Sequence, residues 1–90
     1  MSMDHQLAQM ERFQHDLQAF NERLNAAARE LVNAHDRLSP LWTDSFRREY
    51  DALYVPFAER LERYRAHEAP AFEQFLREKS AALQRYLFGN

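Results

Sequence analysis

Every seventh residue from Met3 to Leu38 is apolar: Met3, Met10, Leu17, Leu24, Leu31 and Leu38. A second row three residues on gives Phe13, Phe20, Ala27 and Ala34, with Gln6 its one polar member and Leu7 covering that end. A period of 3.5 residues returns side chains to one face of a helix and is the spacing of a coiled-coil seam. The chain over about 3–38 is therefore expected to be one amphipathic helix, roughly 54 Å long at ~1.5 Å per residue. Because the second row shrinks from Phe to Ala, whatever covers this helix must be bulkier near residues 27–34. Ser2 suits the N-cap, Asp4 the positive end of the helix dipole and Arg37 the negative end.

Pro40 disfavours helical backbone at Ser39 and fits the first position of a new helix, which places a chain reversal at 39–40 and a second helix over about 40–88. From Trp42 an apolar stripe runs through Phe46, Tyr50, Leu53, Phe57, Leu61, Tyr64, Glu68, Phe72, Phe75, Lys79, Leu83 and Tyr86. Its spacing averages about 3.67 residues, close to a straight helix. Pro56 and Pro70 interrupt the stripe without shifting its phase, so the second helix is expected to be kinked or broken near 56 and 70. The pairs Asp44 with Arg48, Glu59 with Arg63 and Glu73 with Arg77 stand in the order that supports helix on either side of the prolines. An unbroken second helix would overhang the first by about 18 Å at ~1.5 Å per residue.

A single glycine, Gly89, leaves the turns of a sheet protein without their residues. The fold class expected is all-α: one domain over 1–90, an antiparallel helical hairpin with a long, proline-kinked second helix. Two helices share one mutual interface, yet both stripes are wider than that interface needs. Pairing two hairpins into a four-helix bundle would bury the surplus, so the expected partner is a second copy or a sister hairpin. The residues expected at the hairpin or dimer interface are Met10, Phe13, Leu17, Phe20, Leu24 and Leu31 from the first helix. The second contributes Phe46, Tyr50, Leu53, Phe57, Leu61 and Tyr64.

Chemistry is sparse. The residues three before His5, His15, His35 and His67 are Ser2, Arg12, Val32 and Tyr64, so the Glu-x-x-His pattern of a di-metal bundle does not occur. No His-Glu-x-x-His, phosphate loop or nucleophile elbow is present. The reading is a non-enzyme with no catalytic residue, no metal, no cofactor and no small-molecule ligand; His35 reads as a half-buried histidine with a local hydrogen bond. Net charge is −2, and the basic clusters Arg47-Arg48 and Arg60, Arg63, Arg65 are diluted by Glu49, Asp51, Glu59 and Glu62. No nucleic-acid partner is expected. No 18-residue apolar run and no signal-peptide pattern appear, so no membrane partner is expected either. The expected location is the cytoplasm, or outside the cell without a cleaved signal peptide.

The turn motif Ser39, Pro40, Trp42, Asp44, with Phe46 and Tyr50 one and two helical turns later, resembles that of the WXG100 (ESAT-6-like) family. Trp42-Thr43-Asp44 stands where those small helical hairpins carry Trp-x-Gly, with Asp44 in the glycine's place. The resemblance implies a homodimeric four-helix bundle, Trp42 packed at the hairpin end, and a leaderless substrate or partner of a type VII-like secretion system. The family's Tyr-x-x-x-Asp/Glu export pattern has its counterpart at Tyr64-Arg65-Ala66-His67-Glu68, within the second helix. The other reading of the same residues is a cytosolic coiled-coil adaptor or assembly subunit.

Overall fold

The computed structural model describes residues 2–89, and among them the chain is helical with no strand. Helix α1 spans Met3–Leu38, and its seven-residue rows keep it unbroken for 36 residues. The Ser2 hydroxyl accepts the His5 N–H at 3.3 Å, closing the first turn as an N-cap. Reversal takes more chain than the Ser39–Pro40 pair suggests. A 3-10 turn covers Ser39–Leu41, Trp42 and Thr43 are extended, and α2 begins only at Asp44 and runs to Arg63. Arg47, one turn into α2, reaches back to donate from Nη1 to the Ser39 carbonyl at 3.1 Å. The same carbonyl accepts the Trp42 N–H at 3.4 Å, so the 3-10 turn and the Arg47 guanidinium together satisfy the α1 terminus.

Pro56 lies inside α2 and the helix runs through it. The carbonyl that loses its donor there belongs to Ala52, which is exposed and can bond water instead. The interruption of the second arm comes further on. Tyr64–Glu68 form a π-helical turn in which the Ala69 N–H bonds the Tyr64 carbonyl five residues back, and α3 follows over Ala69–Phe88 with Pro70 in its first turn. Such a turn places one extra residue in the helix. The buried residues of α3 are Ala69, Leu76 and Ser80, each one position beyond Glu68, Phe75 and Lys79 of the stripe. Tyr54 and Ala58 stand in the same relation to Leu53 and Phe57 before the turn, so the stripe keeps its phase through it. Gly89 ends α3 in the left-handed region at φ 74°, its N–H on the Arg85 carbonyl.

The two arms lie antiparallel. Helix α1 approaches α3 closely and stands further from α2. Small residues on α3 permit the close approach, Ala69 and Ser80. Opposite α2 the gap is filled by rings. His35 stacks on Tyr54 with centroids 4.0 Å apart, Tyr50 stacks on Tyr54 at 5.4 Å, and Trp42 meets Tyr50 edge-on at 4.3 Å. The rod measures 64 × 22 × 17 Å with a radius of gyration of 19.7 Å, against about 12 Å for a compact chain of this length. Gln14 faces Ser80 and Asn21 faces Glu73, a register that carries on to Leu7 opposite Leu87. The second arm therefore does not overhang the start of α1.

Of the i, i+4 ion pairs expected, Glu73 with Arg77 is present at 3.9 Å. Arg47 instead pairs with Asp51 at 3.2 Å and Arg65 with Glu62 at 2.6 Å.

Candidate interaction surface

The hairpin seam is polar. On α1 the row that turns most fully toward the second arm is Leu7, Gln14, Asn21, Ala28 and His35, and Asn21 is more deeply buried than any leucine on the helix. Its carboxamide is used at both ends: Nδ2 donates to Glu73 Oε2 at 2.7 Å, and Oδ1 accepts the Tyr64 hydroxyl at 2.7 Å. One turn along, Arg65 Nε donates to Asn25 Oδ1 at 2.9 Å, and the Ser80 hydroxyl donates to Gln14 Oε1 at 3.0 Å. Near the turn the Tyr50 hydroxyl and His35 Nδ1 are 2.6 Å apart. Partial burial pushes the Tyr50 phenol above its ordinary value, with Tyr54 and Asp51 adding to the effect, so the hydroxyl keeps its proton. Among the described residues no buried side-chain polar atom lacks a partner.

Hydrogen bonds of this kind fix register more than they add stability, because each replaces bonds to water. Removing one partner is another matter. Asn21→Ala would leave both the Tyr64 hydroxyl and the Glu73 carboxylate short of a bond, and is expected to destabilise the chain by about 1–3 kcal/mol. Urea unfolding checks this, and a Tyr64→Phe background should reduce the loss.

With the seam occupied by this row, the phenylalanines lie elsewhere. Phe13, Phe20, Ala27 and Ala34 each sit one residue before a seam residue, hence about 100° round the helix from it. The same holds on the second arm: Phe46 precedes Arg47, Leu53 precedes Tyr54, Phe57 precedes Ala58, Glu68 precedes Ala69, Phe75 precedes Leu76, Lys79 precedes Ser80 and Tyr86 precedes Leu87. In two antiparallel right-handed helices that displacement points to the same side of the pair. Phe13 and Phe72, 6.0 Å apart between centroids, meet on that side.

The hairpin as a whole is thus amphipathic, with an apolar face running along both arms and a polar face carrying Arg29, Asn25, Glu62 and Arg65 behind it. On the apolar face Phe13 and Phe20 are 49% and 48% exposed, Phe46 64% and Leu53 79%. The chain's accessible surface is 6989 Å², about 1,400 Å² more than the roughly 5,500 Å² typical of a compact protein of this mass.

Of the residues read from sequence as interface, Met10, Leu17, Leu24, Tyr50, Leu61 and Tyr64 are half-buried between the arms. Phe13, Phe20, Leu31, Phe46, Leu53 and Phe57 are exposed on this single chain. At the turn Ser39 and Trp42 are half-buried, while Pro40 and Asp44 are exposed. Sequence reasoning missed Gln14, Asn21, Asn25, Glu73 and Ser80. The available signal was that 7, 14, 21, 28 and 35 also form a seven-residue row, with amides at two of its places.

A cleft of about 400 Å³ opens where α1 and α2 stand apart, bounded by Ala28, Val32, Tyr54, Phe57, Ala58 and Leu61 among others. Three of the four histidines, His5, His15 and His67, are exposed. No group of three or more His, Asp or Glu among the described residues is placed to hold a metal ion, and no helix there is long and apolar enough to cross a membrane. No protein-family model, characterised protein or solved structure matches the chain.

Proposed function

We propose that this chain is a non-enzymatic, WXG100-like protein–protein interaction module. It completes its core by pairing with a second copy or a sister hairpin into a four-helix bundle, in which Pro56 and Pro70 curve the second arm. It serves a type VII-like secretion system as a leaderless substrate or partner.

The observation that carries the pairing is the apolar face itself. Among the described residues the single chain buries only the apolar Leu7, Ala28, Ala69 and Leu76, while the aromatic row stays in water. Covering the surplus of about 1,400 Å² on each of two copies gives an interface of roughly 2,800 Å², in the range of obligate dimers. Trp42 at the hairpin end, packed on Tyr50, supports the family reading of the turn.

Sedimentation equilibrium at micromolar concentration is expected to give twice the 10.8 kDa chain mass; a stable monomer would overturn the pairing. Detection in the medium of unlysed cells, lost when the secretion ATPase is deleted, tests the export route. Retention inside the cell with a copurifying partner would favour the second reading, a cytosolic coiled-coil adaptor. One observation favours that alternative: Tyr64, the tyrosine of the export-like pattern, is engaged by Asn21 in the hairpin seam.

A further inference from the structure

We infer that the partner is a second copy of this chain, laid antiparallel across the apolar face. The two-fold axis is level with Phe20 on α1 and with the gap between Phe72 and Phe75 on α3. The inference rests on the pairing reading above and specifies its partner and register.

Charge on α3 gives the first position for the axis. Glu68 and Lys79 are the only charged members of the outward row on the second arm. Eleven residues apart on one helix, they are separated by about 16 Å and cannot meet within a chain. Neither has an ion-pair partner among the described residues, and the Lys79 ammonium rests 5.6 Å over the Phe75 ring centroid. An axis midway between them, near residues 73 and 74, sets Glu68 of each copy opposite Lys79 of the other, twice over.

Helix α1 gives a second position independently. Asp16 and Arg23 lie on its outer edge, each three residues beyond a phenylalanine of the outward row. An axis midway between them, near residues 19 and 20, brings Asp16 of each copy beside Arg23 of the other. These two positions coincide in space, because Asn21 is hydrogen-bonded to Glu73 across the seam.

Shape agrees with charge. The axis near Phe20 lays Phe13 of one copy over Ala27 of the other, which supplies bulk where the row has tapered to alanine. It also lets α1 cover itself along nearly its whole length, with Met3 of one copy level with Arg37 of the other. In a parallel pair every residue keeps its level along the rod, so Glu68 and Lys79 of the second copy would remain about 16 Å apart. Pairs that recur under a two-fold operation need no sister chain.

The chain has no cysteine, so a single introduced thiol reports position cleanly. Phe20→Cys, next to the axis, is expected to form a disulfide-linked dimer on mild oxidation. A parallel pair would hold those thiols apart and give none. Charge exchange is the second test and touches only exposed residues. Glu68→Lys and Lys79→Glu should each weaken self-association about tenfold, two exposed attractive contacts becoming repulsive. Mixed one to one, the two variants should pair with each other at close to wild-type affinity, since both contacts are then restored. If the variants self-associate like wild type, or the mixture shows no recovery, the register is wrong although the pairing stands. A monomeric wild-type chain would instead remove the pairing on which the register rests.

Discussion

Deleting Gln74 is expected to undo the terminal half of α3, whereas deleting Ala66, eight residues earlier, should leave the hairpin folded. Both remove one exposed helical residue, and the difference lies in what the residue is doing. Ala66 sits in the π turn, where the chain already carries one residue more than an α-helix needs. Its loss lets Tyr64–Glu68 become ordinary helix while Ala69, Leu76 and Ser80 keep facing α1. Gln74 has no such slack. Without it everything beyond rotates by about 100°, turning Leu76 and Ser80 out of the seam and Leu83 and Leu87 with them. Loss of the Leu76 contacts alone should amount to about 2–5 kcal/mol, a large share of what a 90-residue domain has. Thermal melts followed by circular dichroism separate the cases: a cooperative transition near wild type for the Ala66 deletion, and a broad, early one for the Gln74 deletion. Equal damage from both would mean that the π turn is not a spare residue in the helix.

The second large effect is expected from replacing Phe20 and Phe75 together by serine. In a lone hairpin both rings are about half exposed, Phe20 at 48% and Phe75 at 52%, and exposed substitutions generally change stability by no more than about 0.5 kcal/mol. In a dimer each ring is covered and each substitution occurs twice. Truncating a buried Phe costs about 3–5 kcal/mol, so the association constant should fall by three orders of magnitude or more. The wild-type melting temperature should rise with protein concentration, as it must when association is linked to folding. For the double variant it should be lower and independent of concentration. Arg29→Ser on the polar face is the control and should leave both properties unchanged. A double variant that melts like wild type at every concentration would show the aromatic row to be uncovered in solution.

How far the residues disclose this architecture can be judged element by element. The seven-residue rows define α1 to its observed ends, because a helix this regular has one dominant signal and a capping serine before it. Pro40 marks the reversal but not its length: Trp42 and Thr43 are extended, and nothing local distinguishes them from a first helical turn. The π turn was not legible, since it is written in no residue type. Its trace is the weakening of the stripe at Glu68, which reads equally as a kink at Pro70. The seam was misjudged for a related reason. Hydrophobic spacing finds the greasiest face of a helix, and here that face is turned outward while amides and a serine hold the arms together.

A seam closed by Asn21, Glu73, Gln14 and Ser80 has a calorimetric consequence. Parting the two arms wets Leu7, Leu76 and the half-buried leucines but no continuous apolar strip, so that step adds less to the heat capacity, which rises on unfolding in proportion to apolar surface wetted, than a leucine-lined seam would. The rings on the outer face add their share only if something dry had been lying against them.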